Sequence, residues 1–400
     1  SQFLYIDSNL SARAGGETAM GGTLSVSSGR FYPSGDSRTG ADTNLYVGAS
    51  GHASRIADTT ALATMTNSLL ASTDPDNFLA TVALTPPAGS SGIGFFATDQ
   101  FSSGGFDFLD LGFKYFASAS PIPYGGNLEF IDPVSIAAQG AIRLAAGGVI
   151  RSALPVSVTA PYVTIGQEFR SPLNPADPFE PFREYNSGTG GTPLYNLAPT
   201  GGAGSLTLSA SLIDLGTLVT LGLSSATLSA PAGDIRGNGI LNVAGSISLA
   251  ASQIYPTTAA NFDVFAYDNG STTGSISIVS NTTPALPLSA GGQMRLFGDS
   301  INIEGNLRAP MGSIVLGWDG TANSKPSNTV VGTAAVLTKT TILNLLAGAS
   351  LSVSGVDPTT GQGIIVPYGI TSDGLTWIDP RGVDITVTGL PDHGVTLAAE

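Results

Sequence analysis

Cysteine is absent from this chain of 400 residues. Its absence removes any disulfide framework, any thiolate metal site and any cysteine nucleophile. Charge is scarce too: Asp, Glu, Lys and Arg make up 11% of residues, less than half the roughly 25% usual in soluble domains. What charge there is leans acidic, with a formal net charge of −14. That balance repels nucleic acid and anionic membrane surfaces, so neither is expected as a partner. The acidic side chains are spread along the chain, which reads as solubility and not as an acidic tail. No apolar run reaches the roughly 18 residues that would span a membrane, so no membrane insertion by this segment is expected. The chain opens at Ser1 without a basic or apolar leader and stops just after the strand-like Val395-Thr396-Leu397. Both ends read as cuts in something longer.

What is abundant points to β structure. There are 52 Gly and 25 Pro, yet the hydrophobic fraction is 42%, too high for a disordered chain. Ser, Thr, Asn and Gly fill the positions where charge would otherwise sit. Four hundred residues exceed what one compact core usually holds, whereas a repeat architecture grows along an axis without that limit.

A short phrase recurs: Gly, a small or polar residue, then aliphatic–x–aliphatic. It runs Gly22-Thr23-Leu24-Ser25-Val26, Gly126-Asn127-Leu128-Glu129-Phe130 and Gly140-Ala141-Ile142-Arg143-Leu144. It returns at Gly204, Gly245, Gly274, Gly292 and Gly312, and at Ala349 with Ala in the Gly place. Alternation of period two makes each copy a short strand with one apolar face. The later spacings of 41, 29, 18, 20 and 37 residues fit a coil of about 20 residues, the rung of a parallel β-helix. Stacked rungs would line Leu206, Ile247, Ile276, Met294 and Ile314 into one inward ladder, with Thr207, Ser248, Ser277 and Arg295 outward. The competing architecture is a large antiparallel sandwich, and the scarcity of Asn-Gly hairpin turns between copies argues against it.

Several stretches break the pattern. Residues 32–60 are polar, and Asp58 to Leu70 has the apolar spacing of one amphipathic helix with Asp58 as N-cap. Residues 93–124 concentrate aromatics, and 166–203 are rich in Pro. Shorter breaks fall at 256–273, 317–333 and 356–381. These read as insertions leaving a shaft, where binding concentrates. Residues 1–125 are then the start of the β-helix with its insertions, 126–355 the regular shaft interrupted at 166–203, and 356–400 further coils.

The phrases Leu228-Ser229-Ala230-Pro231-Ala232-Gly233-Asp234-Ile235 and Ile303-Glu304-Gly305-Asn306-Leu307-Arg308-Ala309-Pro310-Met311-Gly312-Ser313-Ile314 resemble the filamentous-haemagglutinin family, bacterial exoproteins exported by two-partner secretion. The resemblance spans residues 126–355. It implies a long right-handed β-helix and a role in adhesion or surface structure. The family's secretion domain carries Asn-Pro-Asn-Gly-type signatures, and none occurs here, so the segment resembles interior shaft and no functional residue is carried over.

Chemistry is thin. His52 and His393 stand far apart, each beside Gly, and no Gly-x-Ser-x-Gly elbow accompanies them. The carboxylate pairs Asp74/Asp76, Asp107/Asp110, Asp177/Glu180 and Asp373/Asp379 are candidates for sugar chemistry. Asp74, Asp76 and Asp177 flank prolines in turn sequences, however, where Asp is favoured for backbone hydrogen bonding alone. Asp36, Asp42 and Asn44 form the densest oxygen cluster, without a calcium repeat. Neither a P-loop nor a dinucleotide fingerprint is present. The expectation is no enzyme, no cofactor and no metal.

The residues singled out for partner contact are aromatic: Phe95, Phe96, Phe101, Phe106, Phe108, Tyr115 and Phe116 in the first cluster, and Phe179, Phe182 and Tyr185 in the Pro-rich one. They could form a glycan platform or a protein-contact patch, or pack an insertion onto the shaft or cap its end. The expected class is all-β, a right-handed parallel β-helix with loop insertions and one short helix. The expected function is the structural or adhesive shaft of a secreted bacterial surface protein. Its partners would be a host or neighbouring-cell protein or glycan, or other copies of itself. A self-assembling fibre or surface-layer subunit is the alternative, and a polysaccharide-active enzyme ranks behind both.

Overall fold

A computed structural model describes residues 3–26, 44–51, 93–112, 128–166, 198–326, 335–363, 369–370, 377–378 and 394–399, apart from 17, 146–147, 259, 281, 283, 285, 288 and 358–359. The chain is nearly all-β. One sheet takes 25 of the described strands, far more than the roughly 10 an open twisted sheet holds before it curls or splits. Every strand pairing in that sheet is parallel. Only Gly369–Ile370 and Trp377–Ile378 form an antiparallel pair of strands among the described residues.

The pairings resolve into three ladders. The first runs through Phe3–Ile6, Ile93–Ala97, Asn44–Gly48, Leu128–Phe130 and Val149–Ser152. It continues through residues 218–221, Gly239–Ala244, Asn261–Tyr267, Gln293–Phe297, Ser313–Leu316 and Gly394–Leu397. The second joins Thr23–Val26, Phe108–Leu111, Ala141–Leu144, Tyr162–Ile165, Leu212–Leu215, residues 234–237 and 253–256, Asn306–Arg308 and Ser350–Ser352. The third joins Val134–Ala137, Pro155–Thr159, residues 205–209, 225–230 and 246–251, Ser275–Val279, Ser300–Glu304 and Ile342–Leu345. From Leu128 onward most circuits visit first, third and second ladder in turn; among the described residues no second-ladder strand separates Ser275–Val279 from Gln293–Phe297, and Ile254 pairs directly with Leu307. Each undisturbed circuit takes about 20 residues, as Ile142 to Val163 and Ala226 to Ile247 show. The arrangement is consistent with a β-helix.

Period-two alternation supplies the core. In the third ladder Val134, Val156, Leu206, Ala226, Ile247, Ile276 and Ile301 stack in register and are all buried. Full burial of one such aliphatic side chain contributes about 1.5–3 kcal/mol. The single inward ladder expected from the repeats is split. Leu206, Ile247 and Ile276 share the third ladder, but Met294 and Ile314 stack on Phe262 in the first. Local alternation fixes which residues face inward, not which side of the coil a strand occupies.

Corners need special backbone. Gly222, between a first-ladder and a third-ladder strand, has φ +78°, and Gly245 at the same corner one circuit later has φ +148°. A Cβ on Gly245 would lie 2.0 Å from the Ser224 carbonyl oxygen, so only glycine fits where the circuits stack.

The beginning departs from simple progression. Asn44–Gly48 lies between Ile93–Ala97 and Leu128–Phe130, so the first ladder interleaves strands out of chain order. Where a third-ladder strand would follow Ile93–Ala97, the chain forms a helix, Thr98–Gly104, that packs against Val134–Ala137, the first strand of that ladder. The helix expected at 58–70 lies outside the described residues. The break expected at 256–273 contains the buried strand Asn261–Tyr267.

Candidate functional site: a polar stripe on the second ladder

The outward side of the second ladder carries two ion pairs, Asp110 with Arg143 and Asp214 with Arg236. Register stacks Asp110, Arg143, Thr164, Asp214, Arg236 and Tyr255 into one row along the coil axis. A parallel row holds Phe108, Ala141, Tyr162, Leu212, Asp234 and Gln253. Their alternate neighbours face the core, so these side chains face away from it.

Asp214 is the centre. It is 2% exposed, accepts Arg236 Nε at 2.7 Å and Nη2 at 2.6 Å, and accepts the Tyr162 hydroxyl at 2.6 Å. The bidentate fork makes this the strong form of an arginine–carboxylate contact. One rung on, Asp234 accepts Gln253 Nε2 at 3.2 Å and the Tyr255 hydroxyl at 3.1 Å. Asp110 meets Arg143 at 3.8 Å, both partly solvated.

The electrostatics keep these groups in fixed states. Burial, and then the hydrogen bond to Asp214, pushes the Tyr162 phenol above its ordinary range. Burial, followed by the charge of Asp234, raises Tyr255 as well. The hydrogen bond to Asp214 raises Arg236 and outweighs its desolvation. Neither phenol is moved toward neutrality, where a general acid or base works best. On the first ladder Glu129 is raised, chiefly by burial and against the pull of Arg151.

A second pair, buried Asp263 with half-buried Arg295, sits outward on the first ladder, where Arg295 Nε donates to Asp263 Oδ1 at 2.6 Å. Beside it lies a separate apolar cluster of Ile240, Ala244, Phe265, Tyr267, Phe297, Ala335 and Leu337. The Phe265 and Phe297 rings stack at 5.1 Å. Ala335 and Leu337 close the cluster, and Val336 between them exchanges backbone hydrogen bonds with Asp268 at 2.9 and 3.0 Å. The third ladder's outward side carries Ser157, Thr207, Thr227, Ser248, Ser277, Asn302 and Asn344 in one row.

The aromatic residues expected to meet a partner lie elsewhere. Phe95, Phe96 and Phe101 are buried. Phe96 belongs to the main core, Phe95 packs outward with Ala97, Tyr46 and Ile131, and Phe101 lies on the helix and stacks on Phe106 at 6.0 Å. These three therefore present no surface for a partner, because the segment that holds them is woven into the ladders. Phe106 and Phe108 are half-buried. Tyr115, Phe116, Phe179, Phe182 and Tyr185 lie outside the described residues, as do His52, His393, Asp36, Asp42 and the pairs Asp74/Asp76, Asp177/Glu180 and Asp373/Asp379. Asp107 and Asp110 do separate work: Asp107 accepts the Gly21 amide while Asp110 pairs with Arg143.

Sequence reasoning missed the stripe. Asp214 and Arg236 are 22 positions apart, and nothing local marks them as partners. The signal present was a charged residue at an outward place of a strand phrase, one circuit from its opposite. Among the described residues no group of three or more His, Asp or Glu could hold a metal ion, and no helix is long and apolar enough to cross a membrane. In comparisons with known proteins, no protein-family model matches the chain, and neither does any curated protein or solved structure.

Proposed function

We propose that the chain is a right-handed parallel β-helix serving as the structural and adhesive shaft of a secreted bacterial surface protein, with partner contact through segments that leave the ladders. One observation carries this reading. Three charge pairs on the outward faces join neighbouring rungs, Asp214 with Arg236, Asp263 with Arg295 and Asp110 with Arg143, which stitches the stack lengthwise. A stack with an aliphatic interior, lengthwise stitches and hydroxyl rows outside supports a stiff, soluble rod.

The test has two arms. Small-angle X-ray scattering of the full chain should give an elongated particle, since circuits stacked about 4.8 Å apart lengthen one axis only. Beads coated with the chain should adhere to cells or matrix glycans above uncoated beads. A compact scattering profile, or adhesion equal to the control, would remove the proposal.

A polysaccharide-cleaving enzyme is the second reading, favoured by two carboxylates on adjacent rungs beside Arg236 and two tyrosines. Its acids are engaged, Asp214 by Arg236 and Tyr162 and Asp234 by Gln253 and Tyr255, whereas an acid–base pair needs one group free to exchange a proton. New reducing ends or unsaturated products from acidic polysaccharides, lost in Asp214→Asn, would reverse that ranking.

A further inference from the structure

Tyr162 differs from the other phenol of the stripe because solvent reaches it: it is 37% exposed, against 7% for Tyr255. Its ring is also held in place, since the hydroxyl donates to Asp214 at 2.6 Å and Thr164 bonds the same phenol. Period two turns Val163 and Ile165 into the core and leaves Tyr162 and Thr164 outward.

Register surrounds this ring with outward side chains on two neighbouring strands. Phe108, Ala141 and Tyr162 form one row, and Asp110, Arg143 and Thr164 form the row beside it. All six are half-buried or exposed. Neighbouring strands lie about 4.8 Å apart, so Phe108 and Tyr162 spring from points about 10 Å apart with the Ala141 methyl between them. The tip of the Phe108 ring lies over Gly140, where a Cβ would stand 2.5 Å from Cε1. Tyr162 reaches the other way, to Asp214 on the following strand. The result is a shallow dip floored by Ala141 and flanked by two aromatic side chains. Along its side, Arg143 Nη1 and Asp110 Oδ2 stand 3.8 Å apart, wider than a hydrogen bond, with 40% and 21% of their side chains exposed.

The chemistry of this patch selects its occupant. Aromatic faces carry negative charge density that attracts the polarised C–H groups of a pyranose ring. A carboxylate and a guanidinium side by side accept from and donate to vicinal hydroxyls. Asp110 and Arg143 cancel and the other four residues are uncharged, so the patch suits a neutral ligand, while a chain of net charge −14 repels an anionic one. A purely apolar partner would strand the two ions. We propose that this patch is a binding subsite for a neutral pyranose, stacked on Tyr162 above Ala141, with its hydroxyls on Asp110 and Arg143. This rests on the adhesive reading and names a ligand class for it.

The experiment is saturation-transfer NMR on the full chain with lactose, maltose, cellobiose and glucuronate as probes. At least one neutral disaccharide should bind saturably, at a Kd of about 1 mM for so open a patch, and glucuronate should bind more weakly. Tyr162→Ser should abolish the signal, and Tyr162→Phe, which keeps the ring, should retain it. Arg143→Met should weaken the affinity by about tenfold, as for loss of a charge-assisted hydrogen bond. Tyr162→Ser also removes a partner of Asp214, so Ala141→Leu is the cleaner variant. It fills the dip from an outward position, as Leu212 does in the same row, and should abolish binding while circular dichroism stays that of the parent. Binding by no neutral probe, or binding unaltered in Ala141→Leu, overturns the subsite. Glucuronate bound most tightly overturns the neutral assignment. A sugar-silent chain whose self-association is lost in Ala141→Leu gives the patch to a second copy and overturns it too. None of these results alters the scattering profile, so failure here and failure of the shaft reading are separable.

Discussion

The first and third ladders turn the same aliphatic face inward and opposite chemistries outward. Outside the third ladder stand small hydroxyls, Thr207 exposed and Ser248 and Ser277 half-buried. Outside the first stand Phe95, Val149, Val219, Phe265 and Tyr267, each buried in a cluster separate from the main core. The inward residues of both ladders hold the stack. The outward residues decide where the rest of the chain lies down, and aromatic side chains there recruit a covering segment such as the one through Leu337.

Breaking that covering should produce the largest effect. Phe265→Ala is expected to cost about 3–5 kcal/mol, as much as a core truncation, although it lies outside the main core. Urea unfolding would measure it, and hydrogen exchange should rise at Val336 as the covering segment loosens. Arg236→Met follows, at about 3–5 kcal/mol, because it strands the buried Asp214 carboxylate; the double variant Arg236→Met/Asp214→Leu should recover much of that loss in the same assay.

Gly245→Ala comes next, at about 1–3 kcal/mol from its positive φ, with more if the Ser224 carbonyl cannot yield. Its unfolding midpoint against that of Gly291→Ala separates strain from contact, since Gly291 also has positive φ but nothing near its Cβ.

Glu129→Gln is smaller and opposite in sign. The folded-state carboxyl is raised above its ordinary value, so its protonated form is favoured in the fold, and stability from this group declines as pH climbs through the folded value. The amide should therefore raise the midpoint slightly at pH 7 and flatten its pH dependence just above the ordinary carboxylate range. A drop at pH 7 would show that the contact with Arg151 outweighs burial. Ser277→Ala should change stability by no more than about 0.5 kcal/mol, the counterpart on the bare ladder to Phe265→Ala.

Much of this fold was legible in the strand phrases. Gly245-Ser246-Ile247-Ser248-Leu249 and its relatives become strands with Ile247 and Leu249 buried and Ser248 outward. The candidate site was not legible. Partners such as Asp263 and Arg295 are 32 positions apart, and insertions of varied length between rungs hide the count. The aromatic cluster at 93–124 reads as an insertion because it lies outside the repeat phrase, yet Ile93–Ala97 is a strand of the first ladder.

By itself the sequence determined the inward face, the short strands, the parallel stacking length of about 20 residues and the chemical character of the surface. These follow from period-two alternation and glycine spacing, which act over a few residues. Only the tertiary structure decided which ladder each strand joins, that Met294 and Ile314 leave the ladder of Ile247, which outward aromatics are covered, and that Phe108, Ala141 and Tyr162 share one row. Those outcomes depend on register between rungs, and register is set by the whole circuit, insertions included, rather than by any residue's neighbours in the chain.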